Sequence, residues 1–597
     1  MRRQILSAAG GIAALMAAAS GMATTVTVNP PAGTVTNAVA FVSGEDSLAV
    51  NTGATGGTVR LNPSNTHTGG TTLGSGTLVV TQPARPEAGI GELGAGPFTQ
   101  TGGTLRYAGP AGGAWTGAIT NRPAVDTAAV VWQIDNDLVM AGDVQQPTGC
   151  FIKSGKGTLT FTQPFVLGGC TTSYGNGIYG GYTDFSPDRA PTKGYAPFTI
   201  ADGTVVIDTP YDESVTNVLS GVDVNLAIGQ GTTVNGEETT GVLILSNGIT
   251  RSAGRINVGS TNGRKSNSTS RLQPTLRVLN GATLLVGPTG NKVCYLGVMW
   301  SDNTLQWNAP LLEVAGPGSK MWCNGLSISY HKGGNSTVLV RDGGDLSSLG
   351  ANLTISSSSG SADTTNEVVV TGAGSYLRVR AVNNSKTATT NVRILDGGVL
   401  EMWNFQNGGG GKLNLIVDGG VWRHRNKSDD PIHFPSTMTS VKVGPGGMTT
   451  YFNSGTENAP VIWEKGIEPL DDSGTDGGLH ITTGNSSALP PLRMNAANTY
   501  CGPTDISYTR VYLGKAGCLP TGTVLSLYGN NGGLIITNGI TQTVGSFSFG
   551  RDTATEGPHL GFGPGASIYV TGEFRAGKRL SDPKLHLFET QGGTEGL

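Results

Sequence analysis

Charged and aromatic side chains are scarce in this chain of 597 residues. Asp, Glu, Lys and Arg together make up 13% of it, Phe, Trp and Tyr make up 6%, and the formal net charge is −3 at pH 7. The charged fraction is about half of the roughly 25% that is usual in globular domains. Disordered chains are rich in charge and nucleic-acid-binding proteins have a basic excess, so the composition argues against both classes. We expect no nucleic-acid partner.

Long apolar runs are missing after the N-terminus. Arg2 and Arg3 precede one short apolar run at 5–16, and small residues then lead to Ala23. This is the pattern of a Sec-type signal peptide over residues 1–23, cleaved near Ala23, although the paired arginines leave a twin-arginine signal open. The run is too short to span a membrane. We therefore expect a secreted or cell-surface protein with no membrane span in the mature chain.

Cysteine is also rare, and the six cysteines fall into three local pairs. The pairs are Cys150 with Cys170, Cys294 with Cys323, and Cys501 with Cys518. Each separation is close to the length of one coil of a stacked β structure, so paired side chains on neighbouring coils could form disulfides in an oxidising compartment. The sequence does not fix this connectivity, and six small buried hydrophobic residues are an equally good interpretation.

Glycine, by contrast, is abundant at 94 residues, and a short segment occurs three times. Residues 65–80 read NTHTGGTTLGSGTLVV, and residues 498–513 read NTYCGPTDISYTRVYL. A third copy runs over 155–169, is interrupted, and resumes at 198–207. Recurrence of this kind is typical of repeat proteins, in which each unit buries its apolar face only by stacking on its neighbours.

A second, shorter pattern of apolar segments and glycine-containing turns recurs between the outer copies. Segments such as VVVTGAGSYLRV (368–379) and VRILDGGVLEMW (392–403) alternate apolar and polar residues on both sides of a glycine-containing turn, which predicts strands. The turn glycines are 27, 29, 25, 22 and 25 residues apart: Gly316, Gly343, Gly372, Gly397, Gly419 and Gly444. Asp-Gly and Gly-Gly turns also fit antiparallel hairpins, but the steady spacing favours stacked coils.

These patterns predict an all-β fold, an elongated parallel β-helix or β-solenoid. Val338 and Leu400 are expected to point inward, and Ser375 is expected to be an exposed turn residue that tolerates substitution. The predicted segments are a signal peptide at 1–23, an N-terminal β-helix at 24–275 with repeats at 65–107 and 155–207, regular rungs at 276–455, and a C-terminal β-helix at 456–597 with a repeat at 498–537.

The repeats at 65–107, 155–207 and 498–537 resemble the autotransporter-associated β-strand repeat. The matching continuations are LGAGPF (93–98) with GGTL (102–105), and LPTGTV (519–524) with GGLI (532–535), followed by QTVGSF (542–547). The resemblance implies a right-handed parallel β-helix in a secreted or surface protein, often an autotransporter passenger or a large adhesin. The C-terminal sequence does not resemble the translocating β-barrel of that family, so self-translocation is not expected.

The interruption of the third copy is the best candidate for a binding site. Residues 171–197 form an insertion rich in tyrosine and charge, and insertions in repeat proteins often carry binding. Its candidate contact residues are Tyr174, Tyr179, Tyr182, Phe185, Asp188, Arg189 and Tyr195. A surface loop without a ligand is the alternative interpretation.

An enzyme on the same scaffold is the main alternative function. A polysaccharide lyase or glycoside hydrolase needs acidic residues on one face of adjacent coils. The available acids are Asp429 with Asp430, Asp471 with Asp472, Asp342 with Asp345, and Asp396 with Asp418. The seven histidines do not cluster along the sequence, and NGGGGK (407–412) lacks the features of a phosphate-binding loop, so we expect neither a metal nor a cofactor.

We therefore expect a secreted or surface-displayed structural, adhesin-like protein without catalytic activity. Its β-helix would present loops to extracellular polysaccharide or to surface proteins. Two alternatives remain open. One is a carbohydrate-active enzyme, and the other is an autotransporter passenger whose barrel is not in this sequence.

Overall fold

A computed structural model describes most of the chain. Both backbone and side chains are described over 23–37, 42–53, 56–82, 91–121, 130–146, 149–167, 198–219, 240–252, 254–259, 273–287, 293–297, 309–329, 335–355, 364–384, 388–408, 410–425, 432–452, 461–483, 492–529, 532–550 and 558–575. The backbone alone is described for residues 129, 220 and 576 and for the short strands at 3–6, 184–185, 226–228, 233–234, 237–238 and 587–589.

The chain forms two compact units, and the first comprises Met1–Val314, Gly318–Asn324 and Ser329–Ser336. Its strands lie on three faces. The first face contains Arg3–Leu6, Thr25–Val28, Ser47–Val50, Thr71–Leu73, Phe98–Gln100, Ile119–Asn121, Val144–Gln145, Phe165–Val166, Asn217–Ser220, Ile249–Ser252, Thr283–Val286 and Lys320–Cys323. The second contains Val35–Asn37, Thr58–Arg60, Thr77–Val80, Thr104–Tyr107, Ala129–Ile134, Cys150–Ser154, Phe198–Ile200, Leu226–Ile228, Ile256–Val258 and Val293–Leu296. The third contains Gly113–Trp115, Leu138–Met140, Thr158–Phe161, Gly203–Asp208, Gly241–Asn247, Thr275–Val278 and Leu311–Ala315, and a small side sheet contains Asp184–Phe185, Thr233–Val234 and Glu237–Glu238.

The second unit comprises Ala315–Pro317, Gly325–Ile328 and Thr337–Leu597. Its first face contains Asp345–Ser348, Tyr376–Val379, Val399–Met402, Gly420–His424, Met448–Phe452, Leu479–Thr483, Thr504–Ser507, Val524–Tyr528, Ser546–Phe549 and Phe574–Ala576. The second face contains Gly325–Ile328, Leu353–Ile355, Ala381–Asn384 and Asn404–Asn407, and then, as a separate sheet, Ile432–Phe434, Val461–Trp463, Leu492–Met494, Arg510–Leu513, Gly533–Ile536, His559–Phe562 and Leu587–Glu589. The third contains Thr337–Arg341, Thr365–Thr371, Thr389–Leu395, Lys412–Asp418, Ser440–Val443 and Ile467–Pro469, and the pair Thr541–Val544 and Ser567–Val570 forms its own small sheet.

Successive coils pair in parallel, and the fold is a right-handed parallel β-helix. In the second unit, for example, Thr365–Thr371, Tyr376–Val379 and Ala381–Asn384 form one coil, and each strand pairs in parallel with the equivalent strand of the next coil. The expectation of stacked coils is confirmed and the antiparallel hairpin alternative is wrong for these strands. An antiparallel exception is Thr233–Val234 with Glu237–Glu238 in the side sheet. The sequence-based boundaries near 275 and 455 concern repeat regularity and stay predictions.

The described residues contain no helix, and therefore none that is long and apolar enough to cross a membrane. Within the predicted signal peptide, the backbone of Arg3–Leu6 pairs in parallel with Thr25–Val28. Export and cleavage near Ala23 stay predictions.

Alternation of apolar and polar residues decides which side chains form the interior. In Thr389–Leu395 every second residue is buried, and Ile394 stacks between Val370 of the preceding coil and Val417 of the following one. Val338 and Leu400 are both fully buried, as expected. Each coil therefore shares its apolar interior with two neighbours, which is why a coil is stable only within a stack.

The turns between third-face and first-face strands need glycine because their backbone is left-handed. Five of the six predicted turn glycines have φ between 71° and 91°: Gly316, Gly343, Gly372, Gly397 and Gly419. In the last of these turns Gly447, with φ of 75°, takes the place expected for Gly444. Asp342 and Asp396 precede such glycines and are themselves left-handed, a conformation that Asp tolerates better than most residues.

The expectation that Ser375 is an exposed and tolerant turn residue is wrong. Ser375 is fully buried, and its Oγ accepts a hydrogen bond of 3.0 Å from the backbone N–H of Gly343 in the preceding coil. In the first unit, Ser319 accepts the equivalent bond from Gly281. A serine after the turn therefore connects that turn to the turn of the preceding coil by a hydrogen bond. The spacing of glycines along the sequence does not predict this bond.

Candidate functional site

The predicted binding insertion connects two strands of one coil in the first unit. It leaves Phe165–Val166 on the first face and returns at Phe198–Ile200 on the second. Most of its predicted contact residues lie outside the described residues: Tyr174, Tyr179, Tyr182, Asp188, Arg189 and Tyr195. Phe185 belongs to the strand Asp184–Phe185, whose backbone pairs with Thr233–Val234. A binding role for residues 171–197 stays a prediction.

The predicted cysteine pairs have different environments. Cys501 is exposed, with its Sγ 3.9 Å from the carbonyl oxygen of Thr499, whereas the Sγ of buried Cys518 lies 3.1 Å from the carbonyl oxygen of Met494. Burial, and then the proximity of Cys323, raises the pKa of the Cys294 thiol. Cys150 is buried, and its predicted partner Cys170 lies outside the described residues. The disulfide pairing stays a prediction.

Most of the acidic residues considered for catalysis have structural partners where the structure describes them, and Asp472 is exposed. The contacts are Asp342 with Arg341, Asp345 with Arg378, Asp396 with Thr371, Asp418 with the backbone of Gly446, and Asp471 with Ser473. Asp429 and Asp430 lie outside the described residues. Within the described ranges, no three His, Cys, Asp or Glu side chains are placed to hold a metal ion.

The polar residues of the repeat motif make hydrogen bonds between coils. Asn498 is buried, its Oδ1 accepts a bond of 2.8 Å from the N–H of Ile467, and its Nδ2 donates to the carbonyl oxygen of Cys518. Asn65, the equivalent residue of the first copy, bridges Val42 and Glu92 in the same way. The recurring asparagine therefore fastens three consecutive coils, and its role is structural.

Replacing Asn498 with Ala should destabilise the protein by about 2–6 kcal/mol. The change leaves one buried N–H and one buried carbonyl without partners, and each such loss costs about 1–3 kcal/mol. Urea unfolding of the full chain measures the effect. Asn495→Ala is the matched control because Asn495 is partly exposed and its Oδ1 accepts a bond from Arg493, another partly exposed residue. Equal stability of the two variants would show that the asparagine bridge contributes little.

One lysine of the first unit is buried in an unusual way. Lys153 is fully buried, and its Nζ donates hydrogen bonds to the carbonyl oxygens of Gly155, Gly157 and Asp202 at 2.5–2.8 Å. Burial lowers the pKa of Lys153 to about 7, an effect that nearby carboxylates, Asp202 foremost, oppose. These three contacts connect the coils next to the insertion, which fits a structural role for Lys153.

Two histidines of the second unit form a buried pair, which corrects the expectation that the histidines do not cluster. The Nε2 atoms of His424 and His433 are 3.0 Å apart, and both side chains are at most 1% exposed. One ring must donate and the other accept, so the two rings are opposite tautomers. Burial lowers the pKa of His424 to about 3. Burial and then His424 hold the pKa of His433 well below its usual range.

The pair lies in an aromatic part of the interior. Trp422 contacts both imidazoles, with ring centroids 5.7–6.0 Å apart, and Phe452 lies 5.5 Å from His424. These surroundings offer no charged partner among the described residues, so a protonated imidazole is strongly disfavoured. The pair therefore fits a neutral, structural role.

An ordered row of tyrosine and arginine lies on the outward side of the first face in the second unit. We define the Tyr–Arg row as Asp345, Tyr376, Arg378, Glu401, Arg423 and Tyr451. The strands place four of these residues directly opposite one another in consecutive coils, in the order Arg378, Glu401, Arg423 and Tyr451. All are partly exposed, whereas the residues between them along each strand are buried.

The first arginine of the row is paired with a carboxylate. Both carboxylate oxygens of Asp345 accept hydrogen bonds from Nη1 of Arg378, at 2.8 and 2.7 Å. The Arg378 guanidinium also lies 4.8 Å from the ring centroid of Tyr376. A cation over the face of an aromatic ring is attracted by the ring quadrupole, so Arg378 is held in place from two sides.

The second arginine of the row is held between two tyrosine rings. The guanidinium carbon of Arg423 lies 4.9 Å from the Tyr451 ring and 5.7 Å from the Tyr376 ring. Its nearest carboxylate oxygen, on Glu401, is 3.8 Å from Nη1, beyond hydrogen-bonding distance. Its Nε is buried and has no hydrogen-bond partner in the described part of the chain. Arg423 is therefore a positioned cation with unused donors.

The alternation of apolar and polar residues does not predict this row, although the sequence carries a signal for it. When the segments are aligned on Gly374, Gly397, Gly419 and Gly447, the fourth following residue is, in order, Arg378, Glu401, Arg423 and Tyr451. The alternation pattern drew attention to the inward residues and left the outward ones as solvated surface. No known family model, no curated protein and no solved structure matches this chain.

Proposed function

We propose that this chain is an exported structural protein of the cell surface or extracellular matrix, with an adhesin-like role. The Tyr–Arg row is the observation that carries the proposal. A parallel β-helix buries its inward side chains in its own core. Contacts with partners therefore come from outward side chains and loops. The row consists of outward side chains held in order by one another, as a binding surface requires.

The proposed mechanism is presentation at fixed spacing. Neighbouring strands of a sheet lie about 4.8 Å apart, so equivalent outward side chains recur at that interval. Weak contacts made at regular intervals with a long partner add through multivalency. The resemblance of residues 65–107, 155–207 and 498–537 to autotransporter-associated repeats supports the same role, as does the signal-peptide pattern at 1–23.

We propose a role without catalysis. Supporting it, most described carboxylates of the acidic pairs, all but Asp472, make contacts with arginine, threonine, serine or backbone groups. A catalytic carboxylate usually requires a group free to exchange protons with a substrate. The test is a panel of polysaccharides incubated with purified protein, with new reducing ends and unsaturated products as readouts. Cleavage that a single Asp→Asn change abolishes would favour the carbohydrate-active enzyme instead.

Binding is tested separately on an array of glycans and extracellular proteins. The full chain is compared with a variant in which residues 171–197 are replaced by a short Gly-Ser linker. Loss of binding in the linker variant would place the contact in the predicted insertion, and retained binding would place it on the solenoid faces. Absence of binding to every array member, with the protein folded, contradicts the adhesive role.

A further inference from the structure

We infer that the Tyr–Arg row binds an anionic polysaccharide whose sugar units carry carboxylates, with Arg423 as the central contact. The inference deepens the proposed adhesive function and rests on it. It depends on three properties of the row, namely the unused donors of Arg423, the flanking tyrosine rings and the local excess of positive charge.

The unused donors of Arg423 call for an anion. A guanidinium carries five N–H donors in a planar fork that matches a carboxylate, and a charged donor left unpaired is costly. In this structure the Arg423 fork has its nearest carboxylate oxygen at 3.8 Å and no hydrogen bond to its Nε within the described ranges. Nε itself is buried, and the side chain is 27% exposed overall, so an incoming ligand reaches the exposed remainder of the group.

The two tyrosines offer hydroxyls and the ring surface that the arginines leave uncovered to a sugar. Tyr376 and Tyr451 lie on opposite sides of Arg423 along the row, and both are partly exposed. Aromatic rings offer a large apolar surface at low entropic cost, and a tyrosine adds a hydroxyl for hydrogen bonding. Their ring centroids lie 5.7 and 4.9 Å from the Arg423 guanidinium carbon, so a short oligosaccharide is long enough to contact both rings.

The charges that face the row favour an acidic ligand over a neutral one. Arginines contribute three positive charges: Arg378 and Arg423 in the row, and Arg380, which stacks 4.7 Å from Trp403 at the adjoining corner. The described carboxylates facing them are Asp345 and Glu401. This local excess stands out in a chain whose net charge is −3. It gives a carboxylated polymer both attraction and orientation.

The experiment measures binding of polygalacturonate oligomers to the full-length protein by calorimetry at low and physiological salt. Arg423→Gln is expected to weaken binding about tenfold or more, as for the loss of a hydrogen-bonded charge pair. Arg423→Lys, which keeps the charge and loses the fork, should fall in between. Arg393→Gln is the matched control, because Arg393 is a partly exposed arginine on the third face that already pairs with Glu367 at 3.0 Å. Its affinity should equal that of the wild type.

Two further ligands show whether binding requires a charged carboxylate. Fully methyl-esterified polygalacturonate should bind at least about tenfold more weakly because its carboxylates are neutralised. Dextran sulfate tests whether the row prefers sulfate groups to carboxylates. Tighter binding of dextran sulfate that depends on Arg423 would overturn the assignment to carboxylates. If Arg423→Gln and Arg393→Gln lose the same affinity for polygalacturonate oligomers, or if neither loses any, the assignment of binding to this row is wrong.

The failure of this inference is distinguishable from failure of the proposed function. Binding of neutral glycans or proteins on the array, unchanged in Arg423→Gln, would leave the adhesive role intact and remove the row as its site. Circular dichroism and thermal unfolding of each variant confirm that the fold is retained. If Arg423→Gln fails to fold, Tyr451→Leu gives a second test, with an expected loss of affinity for the same oligomers.

Discussion

Lowering the pH from 7 to 4 is expected to reduce the free energy of unfolding of this protein by about 6 kcal/mol through His424 and His433. The folded state keeps both imidazoles neutral, with the pKa of His424 lowered to about 3 by burial. In the unfolded chain both rings take up a proton near pH 6.5. Between these values the unfolded state binds more protons, so the free energy of unfolding falls as the pH falls.

The measurement is urea unfolding of the wild type and of a His424→Leu, His433→Leu variant at a series of pH values from 7.5 to 4. Other titrating groups are shared, so the difference between the two profiles isolates the pair. That difference should be flat above pH 7 and grow as the pH falls below 6.5. His480→Gln is the control, since His480 is partly exposed and its Nε2 is 2.9 Å from the hydroxyl of Tyr528. If the free energy of unfolding depends on pH in the same way in the wild type and the double variant, burial of the pair does not disfavour protonation of the imidazoles.

Val338→Asp is expected to destabilise the second unit by more than about 4 kcal/mol. Val338 is fully buried, and parallel pairing sets it opposite Val368 of the next coil. A carboxylate there is removed from water without a partner, which is among the costliest single substitutions. Because each coil is stabilised by its neighbours, the loss should spread to adjacent coils.

Leu339→Asp is the matched control for this change. Leu339 is the next residue of the same strand, points to the opposite side and is partly exposed. It should cost less than about 1 kcal/mol. Thermal unfolding gives the size of each effect, and hydrogen exchange shows which coils open. Similar destabilisation by the two variants would contradict the assignment of inward and outward residues.

The parallel β-helix was predictable from the sequence because its causes are local. Period-two alternation assigned Val338 and Leu400 to the interior, and the glycine spacing indicated stacked coils and not hairpins. Where the prediction for Ser375 was wrong, the cause is not local. The hydrogen bond from Gly343 to Ser375 joins two coils, and which residues face each other across coils depends on connecting segments of unequal length.

The Tyr–Arg row and the histidine pair depend on the same cross-coil register. His424 and His433 lie on the first and second faces, and the closed interior brings them to 3.0 Å. Arg423 and Tyr376 come from strands two coils apart. Repeat length alone indicates that coils stack, but the row requires the alignment of each strand with the next, residue by residue.

The sequence by itself determined that this chain forms coils, which side chains those coils bury, and where glycine permits the chain to turn. Alternation and backbone freedom are properties of each residue and its immediate neighbours, so they can be read from the order of amino acids. Only the tertiary structure decided which outward side chains become neighbours and which polar groups are enclosed. Those outcomes follow from contacts between residues that are one or more coils apart, where small differences in loop length change every pairing.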